Sequence, residues 1–160
     1  MNYLKQYYNL EVLEVCLLGS SIPPNEFFDL VQAWVYGFAI FAFLLNLIRE
    51  IQKDLADIVG DKDDGRISIP IKYGEQLSKV LVLLLMMLSI LLVALAYKYF
   101  ISNSMHLFYF LGFLIIPLSI SGVFTFRASQ RKDYLVAANI SKLVMFFGIL
   151  YAAVIYYSTL

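Results

Sequence analysis

Charged side chains in this chain are confined rather than spread. Of twelve basic and twelve acidic residues, thirteen fall within positions 49–79. Four other stretches, 30–48, 80–97, 99–126 and 143–160, contain no Lys, Arg, Asp or Glu. Each is about as long as the ~20 residues that a helix needs to cross a bilayer core. The chain is 61% hydrophobic and 15% charged, against about 25% charged in a soluble domain. The apolar runs are continuous and lack the alternation of barrel strands. The expected fold class is therefore all-α, a polytopic membrane helix bundle with about four transmembrane helices near 28–51, 78–99, 106–126 and 137–157. An Asp-rich loop, 52–77, joins the first two, and an N-terminal segment, 1–27, holds at most a partial helix.

Basic residues are retained on the cytoplasmic side of membrane helices. Positions 49–79 hold six and the 127–133 connection holds three, whereas the 98–105 turn holds one. The Asp-rich loop is thus expected on the cytoplasmic side of the cell (inner) membrane. The lipid bilayer is the expected surrounding partner, and a net charge of zero argues against nucleic acid. The early stretch 12–18 is interrupted by Glu14 and followed by Pro23 and Pro24, unlike a cleavable signal. A single Cys16 supports neither an intrachain disulfide nor a cysteine-based metal site. His106 reads as an interfacial residue at a helix start. Pro117 is expected to kink the third crossing, and Gly112 and Gly122 to allow close helix packing. Asn139, Ser141 and Lys142 fall near the cytoplasmic end of the last crossing, where Lys142 can snorkel to the interface.

The chemistry-bearing segment follows the first crossing. Asp54, Asp57 and Asp61 are spaced i, i+3, i+7, which on one continuous helix stacks three carboxylates on a face. Ile51, Leu55 and Ile58 fall on another face. Aligned carboxylates repel unless a cation lies among them, and oxygen-only ligands suit Mg²⁺, which commonly bridges one or two carboxylates to substrate phosphates. A diphosphate held through Mg²⁺ is the natural ligand. The plain alternative is a solvated loop whose acids pair with Lys53, Lys62 and Arg66.

Acidic motifs of two kinds fit less well. A calcium loop with Gly65 at its sixth position would place Gly60 and Lys62 at ligand positions, where acids or amides are needed. Asp61-Lys-Asp-Asp64-Gly65 echoes the opening of the CDP-alcohol phosphotransferase signature but continues Ser68-Ile69 where that family has Ala-Arg. By contrast, the stretch Arg49-Glu-Ile-Gln-Lys53-Asp54-Leu-Ala-Asp57-Ile-Val-Gly60-Asp61-Lys-Asp-Asp-Gly65-Arg66-Ile-Ser68-Ile-Pro70-Ile-Lys72-Tyr-Gly74 resembles the second aspartate-rich motif of the UbiA family of intramembrane prenyltransferases. The three hydrophobic helices that follow agree in number and spacing.

The resemblance implies an isoprenoid chain transferred from a prenyl diphosphate to an aromatic or lipid-alcohol acceptor. It implies Asp57 and Asp61 as metal ligands for Mg²⁺, with Asp54 at a further acidic position. Lys53, Arg66 and Lys72 are candidates for the substrate diphosphate through their nearness in sequence. The family's first motif, Asn-x-x-x-Asp-x-x-x-Asp, has no counterpart upstream of Asn46. The expectation is therefore a portion corresponding to the family's C-terminal half, either a truncated product, a chain with a misplaced start, or one half of a split enzyme whose N-terminal half acts in trans. A non-catalytic membrane subunit or degenerate homologue is the alternative.

Overall fold

A computed structural model describes residues 24–100 and 104–159. Expectations for residues 1–23, including Cys16, lie outside them. All elements among the described residues are helical: α1 (Pro24–Ala56), α2 (Ile58–Asp63), α3 (Ile69–Tyr73), α4 (Glu75–Phe100), α5 (Ser104–Tyr109), a π-helical turn (Phe110–Ile115), α6 (Ile116–Arg127) and α7 (Arg131–Thr159). Residues from Phe38 onward form a compact unit of their own, and every side-chain contact below lies within it.

Among the described residues, four stretches are long and apolar enough to cross a membrane: Val31–Ala56, Glu75–Lys98, Ser104–Arg127 and Arg131–Ile155. The chain is an integral membrane protein of the all-α class. The helices overrun the expected ends, because polar residues flanking an apolar run continue its hydrogen-bond ladder into the aqueous layer. The segment expected as a loop, 52–77, is largely helical, with α1 running to Ala56 and α2 and α3 following.

Each long helix buries one stripe within the unit. On α7 it reads Tyr134, Ala137, Ser141, Val144, Gly148 and Tyr151, a 3–4 alternation suited to knobs-into-holes packing. On α4 it reads Val82, Met86, Ser89 and Val93, and on α1 Leu45, Ile48, Gln52 and Leu55. The outward faces carry Leu84, Leu91, Phe124 and Ile149, as a lipid-facing surface requires.

Small residues let these backbones approach. A Cβ on Gly122 would lie 3.1 Å from Met86 Sδ, so this glycine packs on α4 as expected, whereas among the described residues nothing lies within 4 Å of such an atom on Gly112. At Pro117, Ile116 N–H donates to Leu111 O, five residues back, so a π-helical turn stands directly ahead of the proline. Such turns accommodate a residue that lacks an N–H. His106, near the end of its crossing, is buried within the protein: its Nδ1 lies 3.0 Å from Tyr151 Oη, edge-on to that ring, in an aromatic cluster with Phe38, Tyr109 and Phe110.

Candidate functional site

The Asp-rich segment is shaped by two breaks in its helices. The first is at Asp57, where φ is −118° and ψ 23°. Its N–H is shared between Lys53 O at 3.1 Å and Asp54 O at 3.2 Å, while its own carbonyl accepts from Asp61 N at 2.9 Å. Gly60 makes room for this turn, since a Cβ there would lie 2.9 Å from Asp57 Oδ1. The second break is a Schellman motif closing α2. Arg66 N–H donates to Asp61 O at 2.9 Å and Gly65 N–H to Lys62 O at 3.2 Å, with Gly65 at φ +69°, a conformation that disfavours a residue with a Cβ. The short echo of the phosphotransferase signature, Asp61 to Gly65, is thus a helix terminus.

These breaks separate the three carboxylates that one continuous helix would align. Asp61 is buried, at 7% exposure. Asp54 is half-buried and close enough to Asp61 and Glu50 to feel their repulsion, with Lys53 as a countering charge. Asp57 turns away: its Oδ1 lies 3.5 Å from Arg131 Nη2 at the start of α7, with side chains 51% and 66% exposed. The face opposite follows expectation, with Ile51 and Leu55 buried and Ile58 half-buried.

The three candidate cations are not gathered at one point. Lys53 Nζ pairs with Glu50 at 3.4 Å. Arg66 is carried back over α2 by the Schellman turn, 3.9 Å from Asp61 and 3.5 Å from Asp64. Lys72 Nζ sits 5.2 Å from the centroid of the Tyr73 ring. Arg131 is a cation that the sequence reading passed over, because it lies on the far side of two membrane helices in sequence.

The donor set fits Mg²⁺ as far as the ion's chemistry demands. No three of the described His, Cys, Asp or Glu side chains form a group that could hold a metal. Mg²⁺ is usually bound through one or two carboxylates, substrate phosphates and several waters, and mutually repelling Asp54 and Asp61 supply two carboxylates. Ser68 Oγ, just ahead of α3, is buried without a hydrogen-bond partner among the described residues. A buried hydroxyl of this kind calls for an acceptor.

Two polar clusters behind the segment were not read from the sequence. Gln52, with no exposed surface, donates from Nε2 to Ser121 Oγ at 3.0 Å and Thr125 Oγ1 at 2.8 Å, and accepts from Ser141 Oγ at 2.9 Å. It ties α1, two residues before Asp54, to α6 and α7. The second cluster centres on buried Lys79, which donates to Ala128 O at 2.8 Å and pairs with Glu75 at 2.9 Å, while Tyr134 Oη donates to Glu75 Oε1 at 2.6 Å. Only Ser121 and Thr125 stood out as polar residues inside an apolar run, a signal for interhelical bonding that names no partner, while Gln52, Glu75 and Lys79 were hidden within the charge-rich 49–79 stretch. Lys142 and Asn139 are exposed.

With the geometry in place, the chain can be set beside known proteins. Its sequence relatives are named digeranylgeranylglyceryl phosphate synthases. One from Methanosphaera stadtmanae is 34% identical over 114 residues, 71% of this chain and 37% of the relative. One from Methanobrevibacter smithii is 27% identical over 130 residues, 80% of this chain and 43% of the relative. One from Methanothermobacter thermautotrophicus is 30% identical over 109 residues, 65% of this chain and 36% of the relative. The chain therefore spans less than half the length of these relatives. No family model matches it, and no solved structure does.

Proposed function

We propose that this chain is the diphosphate-holding portion of a UbiA-type intramembrane prenyltransferase. The transferred group would be a geranylgeranyl chain, and the acceptor the hydroxyl of a glyceryl phosphate lipid. The observation that carries the reading is the broken helical segment at the polar end of the first crossing. It brings Asp54 near enough to Asp61 to feel its charge, holds Arg66 3.9 Å from Asp61 and leaves Ser68 Oγ without a partner among the described residues. The likeness to digeranylgeranylglyceryl phosphate synthases supports the choice of substrates.

In this reading Asp54, Asp57 and Asp61 hold Mg²⁺, and bound Mg²⁺ would offset the charge of the departing diphosphate. Arg66 and the Ser68 hydroxyl bind and orient phosphate oxygens, with Lys53 and Lys72 as outlying positive charges. The long apolar helices shelter the isoprenoid and keep water from the carbon that loses the diphosphate. The segment faces the cytoplasm, and the companion helices of the relatives' remaining length act with this portion, in the same polypeptide or in trans.

The test is Mg²⁺-dependent binding of a non-hydrolysable geranylgeranyl diphosphate analogue to the chain in nanodiscs. Binding that needs Mg²⁺ and falls in both Asp57→Asn and Asp61→Asn is the expected result. A folded chain that binds nothing, or binds equally without Mg²⁺, would leave the non-catalytic membrane subunit as the better reading.

A further inference from the structure

We propose that Arg131 and Asp57 form an exchangeable pair: Arg131 neutralises Asp57 while the site is free, and shifts to the diphosphate when Mg²⁺ claims the carboxylate. This inference rests on the proposed function and adds a diphosphate-binding residue from the α6–α7 turn, which the aspartate motif does not contain.

Three observations carry it. The first is the contact itself, Arg131 Nη2 to Asp57 Oδ1 at 3.5 Å, which gives one of the three aspartates a cation from a distant element. The second is how the turn is fixed. Ala128 O is held by buried Lys79, Asp133 Oδ2 accepts from Ser129 N and Gln130 N at 3.1 Å each, and buried Tyr134 bonds Glu75. The backbone of Arg131 is thus anchored on both sides. The third is that both side chains of the pair are more than half exposed, so a ligand can reach them.

The chemistry favours exchange over permanent pairing. An exposed ion pair adds little to stability, so its geometry is not fixed by folding energy, and a divalent ion displaces a guanidinium from a carboxylate at small cost. The released guanidinium offers paired N–H donors that match two phosphate oxygens, a geometry that an ammonium group cannot reproduce. Asp57 then joins Asp54 and Asp61, and the positive charge moves to where the diphosphate binds.

Exchange predicts opposite effects on two ligands. Titration of the full chain in nanodiscs, first with Mg²⁺ alone and then with inorganic pyrophosphate at saturating Mg²⁺, separates them. Arg131→Ala is expected to strengthen Mg²⁺ binding by about 3-fold, since a competitor for Asp57 is gone. It is expected to weaken Mg²⁺-dependent pyrophosphate binding by about tenfold or more. Arg131→Lys should recover only part of the pyrophosphate affinity. Lys132→Ala, which removes an equal charge from the next position, should shift both affinities less.

Equal effects of Lys132→Ala and Arg131→Ala would reduce the matter to general electrostatics and overturn the proposal. So would a fall in both affinities together with lost helicity, which would mark Arg131 as structural. Unchanged affinities in Arg131→Ala, beside Mg²⁺-dependent binding by the wild type, would overturn the exchange and leave the proposed function standing. No Mg²⁺-dependent pyrophosphate binding by the wild type would overturn both.

Discussion

Replacing Gln52 should measure how firmly the Asp-rich segment is tied to the helices behind it. Its carboxamide is fully buried and makes three hydrogen bonds, to Ser121, Thr125 and Ser141. Interhelical bonds in membrane proteins average about 0.6 kcal/mol each, so the three together are worth about 2 kcal/mol. Gln52→Leu fills the volume while losing all three. The hydroxyls it abandons keep other acceptors, since Ser121 Oγ donates to Ala137 O and Thr125 Oγ1 to Ser121 O, and no large penalty for unpaired groups is added. Gln52→Ala also leaves a cavity, and its cost should rise to about 3–4 kcal/mol.

Equilibrium unfolding in mixed detergent micelles, followed by far-UV circular dichroism, reads these differences directly. A loss of about 2 kcal/mol corresponds to about a 30-fold fall in the folded-to-unfolded ratio. Because Ser141 bonds the same carboxamide, Ser141→Ala should cost less in the Gln52→Leu background than alone. Gln52→Leu as stable as the wild type within about 0.5 kcal/mol, with Ser141→Ala fully additive, would refute the network as a tether.

Three further outcomes are expected. Gly65→Ala, at φ +69°, should cost about 1 kcal/mol locally while Gly65→Asn costs less, read as faster amide exchange at Arg66 without a shift in global unfolding. Lys79→Met keeps the stem but removes the donor to Ala128 O and the charge facing Glu75; a loss of about 2 kcal/mol should appear in the same unfolding assay. Ser68→Ala removes a hydroxyl that has no partner among the described residues, so stability should stay within about 0.5 kcal/mol of wild type. If a phosphate oxygen accepts a hydrogen bond from that hydroxyl, Mg²⁺-dependent pyrophosphate affinity should nevertheless fall.

The aspartates show where reading the sequence stops. Their spacing marked the segment, and the resemblance supplied a role for each, but alignment on one face assumed an unbroken helix. Gly60 lets the Asp57 carboxylate fold against α2, and the turn there sends Asp57 toward Arg131 while Asp61 goes inward. Gly65 is a helix terminator whose hydrogen bonds place Arg66 over Asp61. Local chemistry of this kind is written in the letters, and could have been read from a Gly that follows Asp-rich helical residues. His106 could not. Its lone position at the head of an apolar run gives no hint that Tyr151, forty-five residues later, stands beside it.

The four crossings and the gathering of charge at their polar end follow from the order of residues alone. In lipid a charge-free run of about 20 residues has no other way to satisfy its backbone than a helix. Which polar groups meet depends on how the helices pack. Gln52 with Ser121, Thr125 and Ser141, Lys79 with Ala128, and Asp57 with Arg131 are all pairs from distant segments. Such pairings depend on the rotation of each helix about its axis and on its register against its neighbours. A few packed side chains set those quantities, and the hydropathy of a single helix does not encode them.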